Sequence, residues 1–218
     1  VARVVDVPVF ITCRDRVTDL RHMVQWFERA ACQHIFLIDN QSTYPPLIEY
    51  LEQSPHEVIW LGQNHGPRAL WNVNLTPTSR YVLTDPDLDL RGLPLDAIDH
   101  LADIMDKYQR PKVGLGLRLD DVPETMPSLE WERRLLVPDK SKNDWWAGEI
   151  AHGVYDSLID TTFALYEAGS GFQYEAIRTG FPYLARHTPW YMTEADDEWS
   201  YYTARAEHGP NGTTTQIG

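Results

Sequence analysis

Arg80-Tyr81-Val82-Leu83-Thr84-Asp85-Pro86-Asp87-Leu88-Asp89 is the stretch that decides how this chain is read. A short run of strand formers meets three aspartates spaced two apart, with a proline between the first pair. The apolar run predicts a buried strand. Pro86 cannot donate to a sheet ladder, so the strand is expected to stop before it. Alternation then aims Asp85 and Asp87 the same way, off the end of a sheet. Two carboxylates held that close repel each other unless a cation sits between them. A hard divalent ion with oxygen ligands, Mg2+ or Mn2+, meets that need. The competing reading is a turn with solvated aspartates.

Upstream of this stretch, strand and helix alternate. Val7 to Thr12 reads as a buried strand, followed by the polar turn Cys13-Arg14-Asp15-Arg16. Thr18 or Asp19 is a candidate cap for a helix through Ala31, with Leu20, Met23, Val24, Phe27 and Ala31 on one face. His34 to Ile38 is a second strand, ending at Asp39-Asn40-Gln41-Ser42-Thr43. Pro45-Pro46 suits the first turn of a short helix through Gln53. Glu57 to Leu61 is a third strand; Gln63 to Pro67 is a loop, and Arg68 to Asn74 a short helix. Leu95 to Tyr108 reads as an amphipathic helix and Val113 to Leu119 as a further strand. This alternation predicts a mostly parallel sheet flanked by helices. In such sheets ligands sit outside the carboxyl ends of the strands. Four polar clusters fall at four consecutive strand ends: Thr12 to Arg16, Asp39 to Thr43, Asn64 to Arg68, and Asp85 to Asp89.

The second half is less regular. A loop over 120–127, a helix from Ser128 to Val137 and an irregular stretch carrying Trp145-Trp146 are expected. Ser157 to Tyr166 reads as a strand with Tyr174 to Ile177 as its hairpin partner. Glu194 to Ala206 reads as a helix, and residues 208–218 as a flexible tail. One domain is expected over 1–218, with a nucleotide half (1–119) and an acceptor half (120–207).

Composition narrows the partners. With 32 acidic against 19 basic residues the formal charge is -13. That argues against a nucleic-acid partner, which would want a basic face, and against electrostatic docking on anionic lipid. Any membrane association is expected to be peripheral and to run through other partners. Cys13 and Cys32 give no disulfide framework and no zinc spacing, so a reducing, cytoplasmic setting is expected. No signal peptide and no bilayer-length apolar run is read. The opening at Val1 rather than Met leads us to expect native residues upstream.

Taken in order, Ile11-Thr12-Cys13-Arg14-Asp15-Arg16, Leu37-Ile38-Asp39-Asn40-Gln41-Ser42-Thr43, Asn64-His65-Gly66 with Asn72, and Thr84-Asp85-Pro86-Asp87 resemble the motifs of family 2-like glycosyltransferases, which have the GT-A fold. The resemblance covers about the first half of the chain. Two later segments, Ile159 to Tyr166 and Ala185 to Tyr191, resemble parts of bacterial relatives that decorate surface polysaccharides or natural products. The resemblance implies transfer of a sugar from a nucleotide-sugar donor, UDP first, with GDP or dTDP as alternatives, to a carbohydrate or small-molecule acceptor. It places nucleotide contacts on Thr12, Arg14 and Asp15, a base contact on Asp39, and a ribose or metal contact on Asp85. Asp87 becomes a metal ligand, and Asp89 a spare that caps the following turn. Leu70-Trp71 departs from the family's Ala-Arg before Asn72, so Arg68 is the candidate to supply the missing charge to the diphosphate; a solvated helix residue is the other reading. Gly66 would allow close backbone approach. The alternative for Asp39 is an Asx-turn residue that starts the next loop.

An inverting transfer needs a group to take the acceptor's proton. Asp160, in a Thr-rich apolar stretch, is one candidate, because burial would raise its pKa toward a useful base; a structural acid bonding Thr161 or Thr162 is the alternative. Glu132, beside Trp131 on an expected helix, is another. Glu149, Glu194, Asp196 and Asp197 have no distinguishing feature. His187 is a candidate third metal ligand, imidazole being acceptable to Mn2+. A sugar nucleotidyltransferase would open on a Gly-rich loop after the first strand, and Thr12 to Arg16 holds no glycine. A phosphatase with an Asp-x-Asp nucleophile would carry it on the first strand. A catalytically silent nucleotide- or sugar-binding module remains the reading from another class.

Overall fold

The computed structural model describes residues 6–124, 148–192 and 196–205. The expected helix over 128–137 with Glu132, the pair Trp145 and Trp146, Glu194, and the tail lie outside the described residues. The first half follows the strand-helix alternation. Strands β1 (Val9–Cys13), β2 (Ile35–Asp39), β3 (Glu57–Trp60) and β4 (Tyr81–Thr84) pair in parallel in the order β3-β2-β1-β4. Between them run α1 (Thr18–Arg29), α2 (Pro45–Glu52) and the short α3 (Ala69–Asn72).

The side chains explain the layering. Leu20, Met23, Val24 and Phe27 recur at helical spacing on α1 and are all buried. They join Leu47 and Leu51 of α2 against Val9, Ile11 and Cys13 of β1. The alternate residue Phe10 faces the other side, with Ile38, Leu70, Tyr81 and Leu83. All five positions of β1 are buried, as befits a central parallel strand covered on both faces. Each such large apolar side chain contributes roughly 1.5–3 kcal/mol when taken out of water.

After β4 the chain forms β5 (Leu88–Asp89), α4 (Ala97–Tyr108), β6 (Lys112–Gly114) and β7 (Gly116–Leu117). Beyond these come β8 (Gly148–Ala151), β9 (Val154–Leu158), β10 (Ala164–Tyr166), β11 (Glu175–Thr179) and β12 (Leu184–His187). A 3-10 turn, Thr188–Tyr191, and α5 (Asp197–Ala204) follow. The large sheet has the order β3-β2-β1-β4-β10-β6-β11-β9-β8, and a small one β5-β12-β7. β10 runs antiparallel to both β4 and β6, and β9 antiparallel to β11 and β8. The fold is therefore mixed α/β, with a large sheet that is parallel in its first half and mixed in its second.

Three expectations are corrected. Val113 to Leu119 is two short strands in different sheets, not one. Neighbouring backbone packs closely on both strands, since a Cβ at Gly114 would lie 2.5 Å from the Phe163 carbonyl oxygen, and one at Gly116 2.1 Å from that of Thr179. Ser157 to Tyr166 is not one strand: β9 ends at Leu158, and residues 159–163 cross to β10 without strand structure. The expected hairpin partner, β11, pairs with β9 and β6, and β6 separates it from β10. Among the described residues no helix is long and apolar enough to cross a membrane.

Candidate functional site

β4 stops at Thr84, immediately before the aspartates. The segment beyond, through Leu88 and Leu90, returns to the core beneath α1 and α4. This holds Asp85 and Asp87 at the end of the sheet, half-buried. Asp85 Oδ2 accepts a hydrogen bond from Thr161 Oγ1 at 2.5 Å. Asp87 Oδ2 accepts one from the Arg16 guanidinium at 3.1 Å, and His187 Nε2 lies 3.3 Å from the same oxygen.

Arg16 is the hub of this cluster. It stands in the turn after β1, is 7% exposed, and also donates to Asp19 Oδ2 and, at 3.2 Å, to Thr188 Oγ1. Its guanidinium carbon lies 5.1 Å from the ring centre of Trp199 on α5. Thr188 in turn donates to Asp19 Oδ2 at 3.0 Å.

The two carboxylates carry opposite electrostatic loads. Burial and then the charge of Asp87 push Asp85 well above the usual carboxylate range, against the opposing Thr161 hydroxyl. Burial also pushes Asp87 upward, but His187 and Arg16 outweigh it and hold Asp87 at about 2. For His187, burial opposes the charged ring, yet Asp87 prevails and its pKa lies above the ordinary value. Asp19 is raised, mainly by burial and against Arg16 and Thr188. His187 Nδ1 is buried without a hydrogen-bond partner among the described residues.

The other expected positions divide. Asp15 is 1% exposed, and its Oδ1 accepts from the amides of Thr43 at 2.6 Å and Tyr44 at 2.8 Å. It therefore clamps the β2–α2 turn. Arg14 donates to the carbonyl of Arg205 at the end of α5, at 2.9 Å. Asp39 accepts from the Ser42 amide at 3.2 and 3.3 Å, which is the Asx-turn alternative, and burial raises its pKa. Thr12 is buried with its hydroxyl unpaired among the described residues. Gly66 has a φ of +72° that favours glycine, and a Cβ there would meet open space.

Arg68 stands over the Phe172 ring, 3.8 Å from its centre, and bonds Tyr174 Oη at 3.0 Å. The residue near the carboxylates is Arg16 instead. Asp160 corrects the burial expectation: it is exposed, outside any strand, and its Oδ1 accepts from the Thr162 amide and hydroxyl at 3.0 and 2.5 Å. Asp89 accepts from the Arg91 amide at 2.9 Å and caps its turn as expected. His187 is brought to Asp87, 100 positions earlier in sequence, because β12 pairs with β5, His187 opposite Leu88. Among the described residues, however, no three His, Cys, Asp or Glu side chains form a group that could hold a metal ion. His187 stands beside Asp87 as its ion-pair partner.

Sequence reasoning missed Arg16, Asp19, Thr161 and Thr188 as members of the cluster. For Arg16 a signal existed, a cation at the first strand end facing an aspartate-rich one. The other three are neutral or helix-terminal residues with no such mark.

Helix α5 closes the far side. Glu198 accepts from the Thr18 amide at 3.1 and 3.3 Å and from its hydroxyl at 3.0 Å, so it caps α1 from a distant element. Tyr201 Oη donates to the Thr43 carbonyl at 2.9 Å.

No family model matches the chain, and no curated protein matches it. Among solved structures, the chain is similar to HddC from Yersinia pseudotuberculosis, crystallised in complex with GMP-PN. The identity is 14% and the TM-score 0.38, over 80% of this chain and 74% of that one. That likeness is too remote to bear on function.

Proposed function

We propose that the chain is a metal-dependent glycosyltransferase of the GT-A type, taking a nucleotide-sugar donor, UDP-linked by preference, and transferring the sugar with inversion to a carbohydrate or small-molecule acceptor. One observation carries the reading. Asp85 and Asp87 stand together at the end of β4, and Asp85 is held toward its protonated form by burial and by its neighbour. Such a pair is relieved by a cation.

The donor types fit Mg2+ or Mn2+. These ions are commonly held by one or two carboxylates, the remaining positions going to substrate phosphates and water. A carboxylate pair without a third protein ligand is compatible with that pattern. When bound, the metal offsets the negative charge that develops on the departing diphosphate.

The chain's own residues supply the rest. Arg16, fixed by Asp19, Thr188 and Asp87, is the cation we assign to the diphosphate in place of Arg68. Thr161 fixes the orientation of Asp85. The turn held by Asp39, and Asn40, which bonds Asn64 Oδ1 and the Gly66 carbonyl, shape the ends of β2 and β3 where the base would lie. Asp160, whose charge is felt at Asp85 and His187, is the described carboxylate we assign to take the acceptor's proton.

Calorimetric titration of UDP, GDP and dTDP, each with and without Mn2+, tests the donor side. Metal-dependent binding of one of them is expected, and identifies the donors to assay for turnover. Binding with no turnover on any donor would favour a silent binding module. No binding of any of them contradicts the transferase reading.

A further inference from the structure

The link between β9 and β10 straddles the end of the sheet. Ile159 is buried on the face of Tyr81 and Leu83. Phe163 is buried on the other face, stacked on Phe27 with ring centres 5.4 Å apart. Thr161 lies between them and reaches Asp85. Gly114 makes room for the crossing, since a Cβ there would meet Phe163 O at 2.5 Å and Ile159 Cδ1 at 2.7 Å.

Beneath the crossing lies Lys112, with 0% of its surface exposed. Its Nζ donates to the backbone carbonyls of Ile159 and Asp160, both at 2.6 Å, and of Gln173 at 2.8 Å. All three ammonium protons are thereby used. The rings of Tyr166 and Phe172 lie 5.0 and 5.4 Å from Nζ. No carboxylate forms an ion pair with it among the described residues. A cation buried without a carboxylate is costly. A methionine of similar length would avoid the desolvation of the charge but would leave the carbonyls of Ile159, Asp160 and Gln173 without their ammonium donor, so the lysine is what holds this backbone in place.

We propose that Lys112 is a positioning residue: its ammonium cages the 159–161 backbone in the conformation that sets the Thr161 hydroxyl on Asp85. What the oriented carboxylate binds rests on the transferase reading; the caging itself does not. The lysine's pKa is pushed down to about 7, by burial first. Asp160 opposes that shift, Arg178 adds to it, and Asp85 and Glu175 oppose it more weakly. A cation kept in place at a cost has this character.

The test is a double-mutant cycle of Lys112→Met and Thr161→Val, read three ways. Thermal unfolding of Lys112→Met is expected below the wild-type midpoint, because three buried carbonyls lose their donor. Amide exchange over residues 161–163, measured without ligand, is expected to quicken. Mn2+-dependent UDP binding is expected to weaken roughly tenfold in each single variant, and the double variant to be no weaker than the worse single, because both act through one contact. An unfolded Lys112→Met, unchanged exchange, or additive losses in binding would each overturn the proposal. Should the wild type bind no nucleotide, the transferase reading fails on its own, and the exchange result still decides the role of Lys112.

Discussion

The aspartates after β1 and β2 and those after β4 occupy equivalent places, yet they meet different partners. Asp15 and Asp39 spend their oxygens on backbone amides of the β2–α2 turn. Asp85 feels the charge of Asp87, with a threonine hydroxyl on the first and Arg16 and His187 on the second. A carboxylate satisfied by amides builds a turn. A carboxylate set against another carboxylate is loaded, and the load is useful only if a cation arrives. The first pair should therefore matter to folding and the second to ligand binding.

The sharpest break of that contrast is Asp87→Ala. Turnover of the donor that binds should fall by roughly 10³-fold, with the fold intact but a lower thermal midpoint, because Arg16 keeps Asp19 and Thr188 as partners while the pairing of Asp87 with Arg16 and His187 is lost. A steady-state assay beside a melting curve checks both halves. Asp15→Ala should lose stability without losing nucleotide binding. Removing its carboxylate strands the buried amides of Thr43 and Tyr44, at about 2 kcal/mol, while nucleotide affinity, read by calorimetry, stays within about threefold of wild type.

The smallest effect concerns Asp85→Asn, and its sign is informative. Asp85 has a folded pKa raised above the ordinary 3.8, so its ionisation costs stability as pH rises from that value through the folded one. The variant lacks this decline and should melt about 2 °C higher than wild type at pH 7, though its metal-dependent binding is lost. Asp87 runs the other way. Held at about 2, it contributes stability above 3.8 that is lost as pH falls toward 2. Melting curves from pH 3 to 8 on both proteins separate the two contributions.

Much of the first half was legible because local signals agreed there. Helical spacing on α1, the prolines opening α2 and the run from Tyr81 to Thr84 each pointed to the element that formed. The second half misled where tertiary packing overrode propensity. Leu158 to Phe163 has strand-forming residues, but Gly114 and Lys112 draw it across the sheet end instead. At the site, sequence indicated which strand ends carry carboxylates. It could not indicate which carboxylates would be met by amides, because that depends on turn geometry that alternation does not encode. The approach of His187 to Asp87 depends on β12 pairing with β5, a long-range contact with no local mark.

Uptake of Mn2+ followed by electron paramagnetic resonance, with UDP present, tests the carboxylate pair most directly. Wild type should remove free Mn2+ from solution only when UDP is present, and Asp85→Asn and Asp87→Asn should leave it free. Equal uptake by all three proteins would place the metal elsewhere and leave Asp85 and Asp87 as an acidic turn.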